Sequence, residues 1–199
     1  MNKPFFNEKG VTLIELLLTV VISAIAAVLI YSVFLTGIKL YQKIQVESGL
    51  RDNADYIATM ILNEMYNSPP TYVRNLEDGR GIELVRNEDK TVEGYLIEDS
   101  VKPASTVKIS IEENDITIKR NNEEPIKLLT HSTELAEADD NSGAVRVSSL
   151  TLSNVKKDRV TGRFKHGTIN LTLVLNDSSH QEGSLINVKP LVLQSSFGF

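Results

Sequence analysis

The chain has 199 residues, 41% of them hydrophobic, no cysteine and a formal net charge of −5. This composition predicts a folded protein with a sizeable core, and the lack of cysteine excludes disulfides, thiol nucleophiles and Cys-ligated metal sites. The negative charge argues against general affinity for a nucleic-acid backbone, so any basic contact has to be local.

The first ten residues, MNKPFFNEKG, are polar and carry two lysines ahead of a long apolar run. The run covers residues 11–35, and about 20 helical residues already cross the hydrocarbon layer of a bilayer. Basic residues tend to stay on the cytoplasmic side of a membrane. We therefore predict a cytoplasmic leader peptide over 1–10 and a single membrane-spanning helix over 11–35, with the rest of the chain outside.

Two other interpretations of this segment stay open. A secretory signal is one, because Ala24-Ile25-Ala26 has the small-x-small spacing of a signal peptidase site. Against it, hydrophobicity continues past that site to Leu35, where a cleavage region normally becomes polar. A simple signal anchor is the other interpretation.

Glu15 is the only charged residue between Val11 and Leu35. An ionisable group inside a spanning helix typically costs about 2–3 kcal/mol on insertion scales, and it usually marks function. No Lys, Arg or His lies between Gly10 and Lys39, so the charge partner of Glu15 is predicted to be another chain or a newly made amine. Cleavage after Gly10 supplies such an amine.

Lys9-Gly10 followed by Val-Thr-Leu-Ile-Glu and a long apolar helix resembles the prepilin cleavage and methylation motif of type IV pilins and pseudopilins. The resemblance implies that a prepilin peptidase cuts after Gly10 and methylates the new amine of Val11. It also implies that Glu15 attracts the N-terminal amine of a neighbouring subunit during assembly. The implied partners are the peptidase, other pilins or pseudopilins packed through the N-terminal helix, and an inner-membrane assembly platform.

The chain departs from the pattern of major pilins. Val11 stands where major pilins favour Phe, no proline lies near Ser32, and the C-terminal cysteine pair of many major pilins is absent. The resemblance therefore favours a minor pilin or a J-type pseudopilin, held in the cytoplasmic membrane and then moved into an extracytoplasmic filament. Pilus biogenesis, type II secretion and competence share the motif and stay open as the process served.

Beyond the membrane segment the pattern predicts an α+β fold. Over residues 36–68 apolar residues recur every three or four positions, which predicts an amphipathic continuation of the helix that ends before Pro69. Residues 71–199 then show strand-like alternation and are predicted to form a β-rich head. The predicted strands are residues 81–86, 91–98, 106–112, 115–120, 125–130, 144–154, 163–175 and 185–194, with a bulge or bend near Ser148-Ser149.

Sequence motifs for catalysis are missing. The three histidines are far apart, and neither a nucleophile-elbow motif nor a phosphate-binding loop occurs, so we predict a protein that is not an enzyme and that carries no cofactor. The acidic segment 134–143 concentrates oxygen ligands without the ordered spacing of a calcium loop, so it is interpreted as a solvated turn rather than a metal site.

A basic segment over residues 156–165 is the remaining candidate contact, and it could face DNA, an acidic neighbouring subunit or a polyanionic cell surface. Phe164 is its only aromatic residue, which favours a solvated hairpin over a DNA site. A filament-tip adhesin or DNA-binding module is accordingly the alternative function, and a membrane-anchored exoenzyme ranks below it. The residues of the segment are Lys156, Lys157, Arg159, Arg163 and Lys165.

Overall fold

The computed structural model describes residues 11–76, 79–92, 95–112, 115–139, 144–159, 162–179 and 188–199, with the side chains of 89–92 and 95–102 left out. The chain divides into two compact units, the first reaching Lys43 and the second covering Ile44–Phe199. The predicted leader, residues 1–10, lies outside the described residues.

Helix α1 covers Leu13–Asn67, which confirms the predicted long helix. Its last turn closes with the amide of Ser68, which donates to the carbonyl oxygen of Glu64 at 3.1 Å. Pro69 and Pro70 follow and have no amide hydrogen to donate, so the helix ends where the sequence predicts.

Within the first unit, α1 carries apolar side chains that nothing in the described chain covers. Leu13 is 83% exposed and Val33 is 73% exposed, and the most apolar 18-residue window is 0% buried. A helix that is apolar on all sides is stable in lipid or against other apolar helices rather than in water. By length and composition, this part of α1 can cross a membrane.

Within the second unit, α1 buries one face in the core. The face follows the three- and four-residue spacing that the sequence predicts, because 3.6 residues complete a helical turn. Its buried hydrophobic members are Leu50, Ala54, Ile57, Ile61 and Met65. Ile44 continues the same spacing towards the N-terminus but is 57% exposed, and the residues that pack against the core begin at Val46.

The sheet is antiparallel and mixes long and short strands. In the main sheet the order is β11-β10-β1-β2-β3-β4-β5, with β6 and β9 also paired to β10, while β7 and β8 form a separate pair. The strands are β1 Tyr72–Asn75, β2 Gly81–Val92, β3 Tyr95–Ile111, β4 Ile116–Arg120, β5 Ile126–Lys127, β6 Thr133–Leu135, β7 Glu137–Asp139, β8 Val145–Val147, β9 Ser149–Lys157, β10 Phe164–Asp177 and β11 Leu191–Gly198.

Side chains that stand side by side on neighbouring strands form rows across the sheet, and every second row faces α1 and completes the core. Ile82, Ile109 and Ile118 stand side by side on β2, β3 and β4, and all three have 0% relative exposure. They belong to the same buried cluster as the helix face, so helix and sheet enclose one core. The predicted α+β architecture is confirmed, as is the hairpin in which Ile111 pairs with Ile116.

Several strand predictions need correction. A separate strand over 91–98 was wrong: β2 runs to Val92, β3 starts at Tyr95, and these two residues pair. The sequence signal was Glu93-Gly94, a two-residue spacing typical of a hairpin connection. Strands β1, β6 and β7 were missed because each has only three or four residues, too few for a clear alternation.

The C-terminal residues fold back on the sheet. Strand β11 extends to Gly198, four residues beyond the predicted end at Gln194. Phe199 and Gly167 then exchange both backbone hydrogen bonds, at 3.0 and 3.1 Å. Gly167 has no room for a side chain, because a Cβ there would lie 2.9 Å from the Phe199 ring and from Val155.

The predicted break near Ser148 is confirmed. It separates β8, which pairs with β7, from β9, which pairs with β10. The Ser148 hydroxyl bridges the gap by accepting from the amide of Val174 at 2.8 Å and donating to its carbonyl at 3.3 Å. A side-chain hydroxyl thus takes the place of one backbone partner of β10. The alternation of side chains is interrupted at this point, so Val147 and Leu150 do not belong to one continuous alternating pattern.

We expect Ser148→Ala to lower the free energy of unfolding by about 1–2 kcal/mol, because the buried amide of Val174 then loses this acceptor, while the Val174 carbonyl still accepts from the amide of Ala136. Chemical denaturation of the chain in neutral detergent, followed by near-UV circular dichroism, measures the change. Thr151→Ala, at an exposed position of β9, is the matched control and should change stability by less than about 0.5 kcal/mol. Equal effects of the two substitutions would contradict the bridging role.

A buried carboxylate ties α1 to β4. Glu64 is only 5% exposed, and Arg120 of β4 donates to it from Nε, at 3.1 and 3.0 Å, and from a terminal guanidinium nitrogen. The hydrogen bond to Glu64 raises the pKa of Arg120 further above its ordinary value, so the guanidinium is charged throughout the accessible pH range. A charge this deeply buried is tolerated because it is paired and hydrogen-bonded.

We expect Arg120→Met to lower the free energy of unfolding by about 1–3 kcal/mol, because Glu64 then stays buried without its cation. The expected loss lies below that of a fully buried pair, since the Arg120 side chain is 37% exposed. Lys119→Met is the control: its side chain faces the opposite side of the sheet, and the expected change is below about 0.5 kcal/mol. Denaturation midpoints that coincide for the two variants would show that the pair contributes nothing.

Candidate functional site

The start of α1 holds the acidic residue that the sequence singled out. The Thr12 amide donates to Oε2 of Glu15 at 2.8 Å, and the Thr12 hydroxyl donates to the same oxygen at 2.9 Å. In return, the Glu15 amide donates to Oγ1 of Thr12 at 3.4 Å. This reciprocal arrangement is a capping box, in which a Thr and a Glu three residues later satisfy each other's backbone donors.

The capping box gives Glu15 a partner that sequence reasoning missed. The first amides of a helix have no acceptor within the helix, and water is absent from the hydrocarbon of a bilayer to take their place. The capping box satisfies two of these donors within the chain, the amides of Thr12 and Glu15. The signal that indicates this partner is the Thr-x-x-Glu spacing, which is itself typical of a helix start.

Val11 lies directly before this capped turn and is 74% exposed. Gly10 lies outside the described residues, so the geometry of the Gly10–Val11 bond is not described. Cleavage at this bond, methylation of Val11 and the assembly role of Glu15 stay predictions.

The basic segment forms one end of the β9–β10 pairing. Lys157 is opposite Phe164, and Lys156 is opposite His166, with a register irregularity between the two pairs. One further backbone hydrogen bond follows these pairs, in which the Asp158 amide donates to the Arg163 carbonyl at 2.9 Å. β9 and β10 are thus antiparallel neighbours, as a hairpin requires, while the role of the basic segment as a contact stays a prediction.

Three cations of this hairpin have partners within the chain. The Lys157 amine lies 5.4 Å from the centre of the Phe164 ring, and Lys165 Nζ lies 3.7 Å from Oδ2 of Asp158. Arg163 stacks over a residue distant in sequence, because its guanidinium carbon lies 4.3 Å from the centre of the Tyr72 ring in β1. Arg159 lies in the exposed turn. The hairpin alone is thus a weaker basic contact than its sequence suggests.

The described residues of the acidic segment 134–143 do not form a cluster. Glu134 belongs to β6 and Glu137–Asp139 form β7, while residues 140–143 of the acidic segment lie outside the described residues. Among the residues that the structure describes, no group of three or more His, Asp or Glu side chains is placed to hold a metal ion.

Residues 5–31 match the family described as the prokaryotic N-terminal methylation motif. The chain matches no curated protein and no solved structure. The family match overlaps the capped helix start and the exposed apolar part of α1, which is long enough to cross a membrane. Motif and helix together support a type IV pilin-like protein whose apolar N-terminal helix anchors it in a membrane.

Proposed function

We propose that the chain is a minor pilin or pseudopilin, a structural subunit of a type IV pilus-like filament. The observation that carries the proposal is the methylation motif over residues 5–31, continued by an apolar helix that nothing in the described chain covers. In this proposal residues 1–10 are a cytoplasmic leader, a prepilin peptidase cuts after Gly10, and Val11 becomes the methylated N-terminus. The head then lies outside the cytoplasmic membrane.

The geometry of Glu15 is compatible with an assembly role. A carboxylate offers about four lone-pair sites, and Thr12 takes two of them through its amide and its hydroxyl. The remaining capacity can accept the N-terminal ammonium of a neighbouring subunit. Such a pair brings together two charges that are costly when buried singly in an apolar filament core.

The second unit supplies the part of the subunit that stays outside the lipid. Its core is complete within Ile44–Phe199, so the head has its own source of stability. We assign it to filament assembly rather than to turnover, with the assembly platform and other pilins or pseudopilins as partners. The process served is pilus biogenesis, type II secretion or competence, since these share the motif.

The N-terminal residue and intact mass of the protein test this proposal directly. We expect the chain isolated from membranes to begin at Val11, with or without a methyl group, and to keep its leader in cells that lack the prepilin peptidase. A chain that starts near Ala27 would indicate a secretory signal instead. A chain that keeps Met1 in both strains would indicate a simple anchor, and either result overturns the proposal.

Substitutions at the helix start separate charge pairing from helix capping. Glu15→Gln removes the charge but keeps a side-chain oxygen that can accept from Thr12, while Thr12→Val removes the hydroxyl and leaves the charge. We expect Glu15→Gln to be processed normally and to lower recovery in sheared filaments at least about tenfold, since a charge-assisted hydrogen bond contributes about 1.5–3 kcal/mol.

Thr12→Val is the matched control and should keep most of the filament recovery. If Glu15→Gln enters filaments as the unchanged chain does, the carboxylate serves the helix cap alone. If only Thr12→Val loses assembly, capping rather than charge is what the filament requires, and the pairing role of Glu15 is wrong.

A further inference from the structure

Strand β11 forms one edge of the main sheet. It pairs with β10 on one side, and within the described part of the chain no other strand pairs with it. Phe199 and Gly167 exchange both backbone hydrogen bonds, so the odd-numbered residues of β11 bond to β10. The amides and carbonyls of the even-numbered residues therefore point away from the sheet. These residues are Val192, Gln194, Ser196 and Gly198.

The open edge of β11 lacks the features that usually keep sheet edges from pairing. Such features are charged side chains, prolines, bulges and very short strands. Residues 191–198 include no charged residue and no proline, their pairing with β10 is continuous, and the strand is eight residues long. Strands in globular proteins usually have about five or six residues. The edge is therefore a template for a further strand.

An apolar groove lies beside the C-terminal end of this edge. It has a volume of about 700 Å³ and lies between the end of α1, the two prolines that follow it and the end of β11. Its aromatic lining consists of Tyr66, which is 75% exposed, and of the half-buried Phe197 and Phe199. Leu191 and Leu193 pack against the core and are also only half-buried. Apolar surface is thus left uncovered along both halves of β11.

A second copy of β11 satisfies this edge in an antiparallel register. Antiparallel strands exchange hydrogen bonds where the outward-pointing groups of one strand face those of the other. A two-fold axis through Ser195 achieves this for all four outward-pointing residues. Gln194 then stands opposite Ser196 of the second copy. Val192 likewise stands opposite Gly198.

The same register matches the apolar residues on the side of β11 that packs against the core. Leu193 stands opposite Phe197 of the second copy, and Leu191 stands in the same way opposite its Phe199. Moving the axis by one residue in either direction would set Ser195 opposite Leu193 or Phe197 instead. This stretch carries no charge, so like charges do not face each other. The strand is therefore self-complementary, as a two-fold interface requires.

We propose that β11 pairs with β11 of a second copy, so that two heads share one continuous sheet. Adding a strand to an open sheet edge contributes backbone hydrogen bonds, and here the leucines of the second copy also cover the groove beside Phe197 and Phe199. A two-fold contact of this kind closes on itself and does not propagate. It therefore differs from the repeated helix contacts of the proposed filament and goes beyond that function.

Disulfide cross-linking tests the pairing, because the chain has no cysteine of its own. The full chain in neutral detergent carries one introduced cysteine, is oxidised with copper phenanthroline and is separated on a non-reducing gel. Ser195→Cys places two cysteines on the axis, with Cα atoms about 4.5 Å apart, within the range that a disulfide spans. We expect at least about fivefold more cross-linked dimer than from Thr151→Cys, at an exposed position of β9, since disulfides rarely span more than about 7 Å.

A mixture of two variants tests the register. Gln194 and Ser196 are opposite each other in the proposed pair, with Cα atoms about 5.5 Å apart, whereas the two copies of Gln194 are diagonal neighbours at about 7–8 Å. We expect Gln194→Cys mixed with Ser196→Cys to form at least about threefold more mixed disulfide than either variant forms with itself. A size tag on one variant identifies the mixed product.

A proline on the edge tests whether the backbone of β11 makes the contact. Gln194→Pro removes an outward-pointing amide and leaves the hydrogen bonds to β10 in place. In the Ser195→Cys background we expect it to lower the cross-linked fraction at least about tenfold, because its ring and missing donor oppose strand pairing. Gln194→Ala is the matched control: it keeps the amide and should leave the fraction unchanged. Circular dichroism melts show whether both variants stay folded.

Three results would overturn the proposal: no more cross-linking at Ser195 than at Thr151, equal yields from the mixed and the single variants, or cross-linking that survives Gln194→Pro in a folded chain. The first result would mean that a second copy does not cover the edge. The filament role is independent of all three, because it depends on the N-terminal residue of the mature chain.

Discussion

The packing of one face of α1 against alternate rows of the sheet is the constraint on which the second unit depends. Ile57 and Ile61 of the helix and Ile109 of the sheet are fully buried in one cluster, and burying such a side chain contributes roughly 1.5–3 kcal/mol. Because this face must point inward, the opposite sides of the strands are fixed as well. The core therefore also places the row on the opposite face of β1 to β4, which we call the outer row, although none of its residues belongs to the core. The outer row consists of Arg74, Glu83, Lys108 and Lys119.

Sequence patterns predicted the elements that are long enough for their periodicity to be recognised. The 55-residue helix and its end before Pro69 follow from an apolar run, an amphipathic run and two prolines, each readable locally. The short strands could not be predicted in this way, since three or four residues carry too little alternation. The pairing of β10 with β1 also had no local signal, because it joins Val73 to Phe164, 91 positions further along the chain, through contacts formed only on folding.

The candidate sites also differ in how far apart along the chain their residues lie. Glu15 was found because a lone acid in an apolar run is conspicuous, yet its partner Thr12 was missed when only cations were considered. The basic hairpin was found because its residues are consecutive. Arg74, Lys108 and Lys119 were not, since only strand register brings them into one row. Local chemistry is readable in sequence, whereas surfaces built across strands are not.

The last two residues of β4 have opposite surroundings. Lys119 belongs to the outer row, while Arg120 reaches Glu64 on the helix side. Shifting the pairing of β4 by one residue would exchange them and would also turn Ile116 and Ile118 out of the core. Insertions or deletions of one residue in β4 therefore affect the core, the ion pair and the outer row together. The evolutionary expectation is that length changes near this strand are confined to the loops on either side of it.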